Sequence, residues 1–285
     1  MRSEGLREVV YRPESELRSP LTFLKRIVDD IRGSFELTRS LLVRNIKGQY
    51  RQAALGYLWA FIPPLATTVT FVFLQSQNII ASGKTDIPYP VYVLVGTLLW
   101  QSFVDALNSP LRLVQASTSM MASVNFPREA ILFAGLGEVL FYFAIRIVPV
   151  LFILPFLGGS LSWSILLFPL GALSIIAFGW GIGLLLVPVG LLYKDVEMGM
   201  GILVTLWFFA TPVVYTPPVS GAMSLLARIN PVSPLLACTR DLLVGGVVSL
   251  PVHFVLLSLV ALGFLLTGWV AFRLAIPHLV KILNA

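Results

Sequence analysis

Charge is scarce in this chain, and cysteine and histidine are scarcer. Asp, Glu, Lys and Arg make up 12% of the 285 residues, about half the share of an ordinary soluble domain. The single cysteine, Cys238, excludes an internal disulfide and any cysteine-based metal cluster. Two histidines, His253 and His278, stand without partners at ligand spacing, and no paired carboxylates converge in one motif. Metal-assisted and acid–base enzymes therefore lack their parts. Ser82-Gly83-Lys84-Thr85 copies the end of a phosphate-binding loop, but the first glycine of that motif would fall on Asn78 and no strand precedes it. Nothing else in the chain offers to hold ATP. Met1 to Thr38 contains no apolar h-region of a signal peptide, so the N-terminus is expected to stay cytoplasmic. An internal repeat, the hallmark of many secondary transporters, is also missing.

What is present is apolar surface. The chain is 57% hydrophobic, with a mean hydropathy of +0.87. Seven of the fourteen acidic residues and eight of the twenty Lys and Arg lie before Ser40. Beyond Ala53, long uncharged runs alternate with short polar gaps. This is the composition of an all-α integral membrane protein. Six spans are expected: about Trp59–Ile80, Val91–Leu113, Ala130–Leu157, Trp163–Leu192 (broken by Pro188), Met200–Tyr215 and Val252–Ile276. Between the last two, Thr216 to Pro251 is apolar but rich in proline. Leu225–Ile229 and Leu235–Val244 read there as two helices too short to cross a bilayer. With six spans both termini share one side. That side collects sixteen Lys and Arg, Arg112 and Arg128 among them as loop residues. The other side holds Lys84, Arg228 and Arg240, with Arg146 left in the membrane. The asymmetry places both termini in the cytoplasm, and the net charge of +6 reflects cytoplasmic loops rather than nucleic acid.

Arg39 to Pro64 organises the rest. At 100° per residue Leu42, Ile46, Ala53 and Tyr57 share one face, while Arg44, Lys47 and Arg51 lie nearly opposite. Such a helix lies along a membrane surface, and here it is expected to run on through Gly56 and Trp59 into the first span. Plain anchoring and a further role both remain open for it. Leu21 to Ile31 forms a second, shorter amphipathic stretch. The units are then a cytoplasmic segment 1–34, an interfacial helix 35–58, a six-span transmembrane domain 59–276 with short outer helices within 216–250, and a cytoplasmic tail 277–285.

Glu138 and Arg146 lie two turns apart inside span three, where ionised groups face protein or water rather than lipid. An ion pair, with each other or with Asp105, is favoured over a proton or ion relay. Ser123 to Glu129 reads SVNFPRE, which serves either as a plain turn or as a rigid apolar knob for a soluble partner. Aromatics are frequent, as membrane-interface belts or as stacking faces for sugar rings.

Three motifs coincide in order. NIKGQYRQAALGYLWAFIPPL, SVNFPREAIL and INPVSPLLACTRDLLVGG resemble, respectively, the approach to span one, the Phe-Pro-Arg-Glu stretch after span two, and the Asn-Pro, Pro, Arg-Asp pattern before span six of ABC-2 type permeases. Those permeases export O-antigen, capsule and teichoic acid polymers. The resemblance covers nearly the whole chain after Ser34. It implies a subunit of the bacterial inner membrane that pairs with a second copy of itself, with two copies of an ATP-binding subunit supplying ATP and Mg. No cofactor is expected on this chain, which performs no covalent chemistry. The resemblance implies that Val124, Asn125, Phe126, Pro127, Arg128 and Glu129 couple to the ATPase. It makes Arg44, Lys47 and Arg51 candidates to meet the pyrophosphate of a lipid-linked glycan. Tyr57, Trp59, Trp100 and Tyr142 become candidate channel aromatics, and Asn230, Pro231, Arg240 and Asp241 belong to an outer gate. Arg146 departs from the family pattern. The rivals are a permease of the same class for a drug or small lipid, an ion-coupled secondary transporter, and a membrane enzyme on lipid-linked sugars.

Overall fold

The computed structural model describes residues 20–50, 56–80, 85, 87–123, 128–160, 163–217, 221–244, 248 and 250–283. Among them every regular element is helical. The α-helices are α1 (Pro20–Tyr50), α2 (Ile62–Ser76), α3 (Tyr89–Ala116), α4 (Thr118–Ser123), α5 (Glu129–Ile153), α6 (Phe168–Leu192), α7 (Asp195–Ala210), α8 (Ala222–Ile229), α9 (Val232–Val244) and α10 (Pro251–Leu283).

Four of these, α3, α5, α6 and α10, are long and apolar enough to cross a membrane. The sequence reading expects six. At 15 residues α2 is about 22 Å long, and α7 has 16 residues, both short of a hydrocarbon core about 30 Å thick. Two local causes shorten them. Gly56 takes a left-handed φ of +50° and Gly56–Ala60 forms a 3-10 turn, so Trp59 sits in the turn and not in the span. Helix α1 is described as far as Tyr50, and the left-handed Gly56 with its 3-10 turn differs from the expected single rod running through Gly56 and Trp59 into the span. Helix α1 also begins earlier than expected, because it joins the shorter amphipathic stretch to the longer one. At the other end, Thr211–Tyr215 leaves the helix and folds against its neighbours, so α7 begins at Asp195 and stops at Ala210.

Pro63 and Pro64 open α2, where missing N–H groups cost nothing. Pro110, Pro149 and Pro188 lie inside continuous helices. Pro188 therefore does not break α6, as lipid-embedded helices with packed neighbours allow.

The core is a layered stack in which α3 lies between α5 and α6, and α6 in turn carries α10. Small residues set the spacing. A Cβ on Gly179 would come 2.6 Å from the Phe103 carbonyl, and one on Gly190 2.6 Å from Leu111. On the opposite side of α6 a Cβ on Gly181 would lie 2.6 Å from the Leu265 nitrogen, and one on Gly268 2.6 Å from the Gly181 carbonyl. With no solvent to squeeze helices together inside lipid, such close approach supplies the dispersion contact that holds them. Helix α1 lies along α5, burying Leu41 and resting Leu42 near Gly137.

Candidate functional site

Helix α3 carries Gln101, Asp105, Asn108 and Arg112, at i, i+4, i+7 and i+11, on one face of an otherwise apolar rod. Helix α5 answers with Glu138, Tyr142 and Arg146 at i, i+4 and i+8. The two helices run antiparallel, so the stripes meet rung by rung. Arg146 Nη1 lies 2.5 Å from Asp105 Oδ2, and Arg112 Nη2 lies 2.6 Å from Glu138 Oε1. Gln101 Nε2 donates to the other Asp105 oxygen at 3.0 Å. Arg146 Nε donates to the Ala60 carbonyl at 2.8 Å, which ties the turn after Gly56 onto α5. Tyr142 donates its hydroxyl to Gln49 of α1.

Of the pairings open for Glu138 and Arg146, the one with Asp105 is realised by Arg146. Glu138 takes Arg112, which the sequence reading places in a loop. The structure puts Arg112 in the last turns of α3, with its side chain 54% exposed against 4% for Glu138. The signal was in the sequence: four polar residues at helical spacing through Arg112. Removing either member of such a pair strands a charge in a medium that solvates it poorly.

All of these side chains except Glu138 border a cleft of about 450 Å³, lined also by the Trp59–Ala60 turn, Pro63 and Asn108. Trp59 and Tyr142 line it. Tyr57 is half exposed and meets Phe141 edge-on at 5.7 Å between centroids. Trp100 is not part of the cavity. It is buried between Phe103 and Phe208, at 5.4 and 5.8 Å.

Arg44 and Lys47 are exposed on α1, while Arg51 lies outside the described residues. So do Val124, Asn125, Phe126 and Pro127, and residues 82–84 of the phosphate-loop lookalike. Arg128 precedes the first turn of α5, and Glu129 in that turn is buried with Arg273 of α10 at 3.5 Å. The beginning of α5 is thereby tied to the last helix.

The four outer-gate candidates do not behave alike. Asn230 is a buried knot: Trp207 Nε1 donates to its Oδ1 at 2.9 Å, and its Nδ2 donates to Thr211 Oγ1 at 2.7 Å. Arg240 is buried with its guanidinium 3.6 Å above the Tyr92 ring, donating to the Pro212 and Val213 carbonyls at 3.2 and 3.0 Å. The Tyr89 and Tyr92 hydroxyls hold the Val214 and Tyr215 carbonyls at 2.9 Å each. Together these donors clamp the carbonyls of Pro212–Tyr215, where the backbone has left the helix. Pro231 and Asp241 are half-buried beside this clamp.

Residues 36–244 match the ABC-2 type transporter family. The O-antigen export system permease protein RfbA of Myxococcus xanthus is 27% identical over 216 residues, covering 74% of this chain and 81% of that protein. RfbA of Klebsiella pneumoniae is 25% identical over 238 residues, 82% of this chain and 88% of that protein. The polysialic acid transport protein KpsM of Escherichia coli is 25% identical over 261 residues, 85% and 96% of the two chains.

Proposed function

The chain belongs to the ABC-2 type transporter family, and from that membership we propose that it is the membrane subunit of an ATP-driven exporter of a lipid-linked polysaccharide of the O-antigen class. One observation carries the reading: relatives matching about three quarters or more of the chain are named for the export of O-antigen or the transport of polysialic acid. The buried polar seam between α3 and α5 supports it, since a hydrophilic cargo needs polar groups at membrane depth.

In this reading α2 and α7, apolar but short, join the four long helices to make six crossings, and both termini face the cytoplasm of a bacterial inner membrane. ATP and Mg reside on a separate subunit present in two copies. Its closure is delivered through residues 124–129 to α5, and through the Glu129–Arg273 pair to α10. A second copy of the chain covers apolar side chains that α2 and α7 leave exposed, such as Val69, Phe73, Leu203 and Leu206. Arg44 and Lys47, pointing outward from α1, meet the anionic linkage of the glycan lipid at the inner leaflet. Helices α8 and α9 with the Thr211–Tyr215 turn form the outer closure, where irregular backbone is tolerated because protein surrounds it.

The test is deletion and return of this chain in its host. Loss of surface glycan, with lipid-linked polymer accumulating inside and restored by the chain together with its ATPase, is the expected result. Undiminished surface glycan in the deletion strain overturns the reading.

A further inference from the structure

The cavity between α1, α3 and α5 has a lining whose chemistry is more selective than a water-filled gap requires. Both arginines that line it are paired with a carboxylate: Arg146 with Asp105, which also lines it, at 2.5 Å, and Arg112 with Glu138, which lies behind the lining, at 2.6 Å. A free anion would have to displace a carboxylate to find a cation. An acyl chain would leave the Asn108 amide and the Gln101 carbonyl oxygen facing hydrocarbon, at a cost for each. One buried polar atom of the lining, Ser109 Oγ, has no hydrogen-bond partner among the described residues. Planar amides and carboxylates offer paired donors and acceptors, and Trp59, exposed over half its surface, adds an aromatic face. A neutral polyhydroxylated ring needs that combination: flat polar groups for vicinal hydroxyls and a π-face for its C–H side. At about 450 Å³ the space lies within the range of small-ligand pockets, roughly 300–1,000 Å³.

We propose that this cavity, within a single subunit, is a binding site for a neutral sugar unit of the transported glycan, separate from the cationic face of α1 that meets its anionic linkage. The inference rests on the exporter reading. Gln101 and Asn108 hold ring hydroxyls, Trp59 covers the apolar ring face, and the two ion pairs keep the polar groups at fixed spacing without adding net charge. A charge-balanced site of this kind binds one unit weakly enough to release it to the next.

The experiment places a photoreactive benzoylphenylalanine at position 104 of the chain, in the intact complex, in cells making their own glycan. Val104 lines the cavity and is apolar, so an aromatic probe there keeps the polar stripe whole. Controls carry the probe at position 47, on the cationic face, and at position 152, where Phe152 is exposed on α5. Irradiation is expected to attach glycan to the permease at 104 and not at 152. Gln101→Leu should lower the yield at 104 roughly five- to tenfold, the loss of one or two hydrogen bonds. Glycan attached at 47 but not at 104, or a phospholipid adduct at 104, overturns the cavity assignment and leaves the exporter reading standing. No glycan at any position, together with unchanged surface glycan when the gene is deleted, removes both.

Discussion

Arg146 is the residue on which the polar seam turns. Its guanidinium satisfies Asp105 and the Ala60 carbonyl together, so it joins α3, α5 and the turn before α2. Arg146→Met should lower the thermal unfolding midpoint of the solubilised protein more than Asp105→Asn does. The first leaves a carboxylate without its cation, a loss of roughly 3–5 kcal/mol when the pair is buried, discounted here because Asp105 is 22% exposed. The double variant Asp105→Asn, Arg146→Met should recover part of that loss, because no unpaired charge remains. An equal midpoint for Arg146→Met and the double variant would show that the pair does not act as a unit. Arg146 was legible from the sequence as a costly group in need of a partner. Its choice of partner was not, because which rungs meet depends on where two antiparallel helices stop.

At the scale of elements, two devices decide the architecture. The first is the glycine seam of α6. Gly181→Leu should abolish monodisperse folded protein in size-exclusion chromatography, since even a Cβ would press on the Leu265 backbone at 2.6 Å. Gly201 of α7, where a Cβ meets nothing within 4 Å, should tolerate Ala in the same assay. The second device is the Arg240 clamp. Arg240→Met leaves the Pro212 and Val213 carbonyls without their donor. It should raise amide hydrogen exchange across 211–215 by roughly tenfold or more, with α3 still protected. Unchanged exchange there would mean the tyrosines alone hold the turn. The short helices were readable as too brief to span, but the clamp was not. Its donors come from α3 and α9 and its acceptors from between them, more than a hundred residues from Tyr89 and Tyr92.

At the scale of the whole molecule, the fold is a stack of apolar helices with one hydrophilic seam and a cationic surface helix along α5. The double variant Phe126→Ala, Pro127→Ala should insert normally and keep ATPase activity in the complex while export falls. Full export by that variant would remove these residues from the coupling role. A tag fused to either terminus should resist protease added to intact cells and yield in inverted vesicles, and cleavage from outside would invert the arrangement. The long crossings followed from hydropathy alone, because 18 or more apolar residues in a row have few other ways to be satisfied. The first and fifth were overdrawn: hydropathy counts apolar residues but not where the backbone leaves the helix. Gly56 and the Thr211–Tyr215 turn make that decision.

The sequence by itself determined the solvent, the helical class and the places where charge is costly, since each follows from how many polar groups lipid can accept. The family resemblance followed from three motifs whose order needs no fold to be seen. Only the tertiary structure decided that Arg112 pairs with Glu138, that Trp100 is buried between Phe103 and Phe208, and that Arg146, Asp105 and Trp59 border one polar cavity. Those facts come from the register between α3 and α5, which is set by side chains meeting across a gap that no local pattern describes.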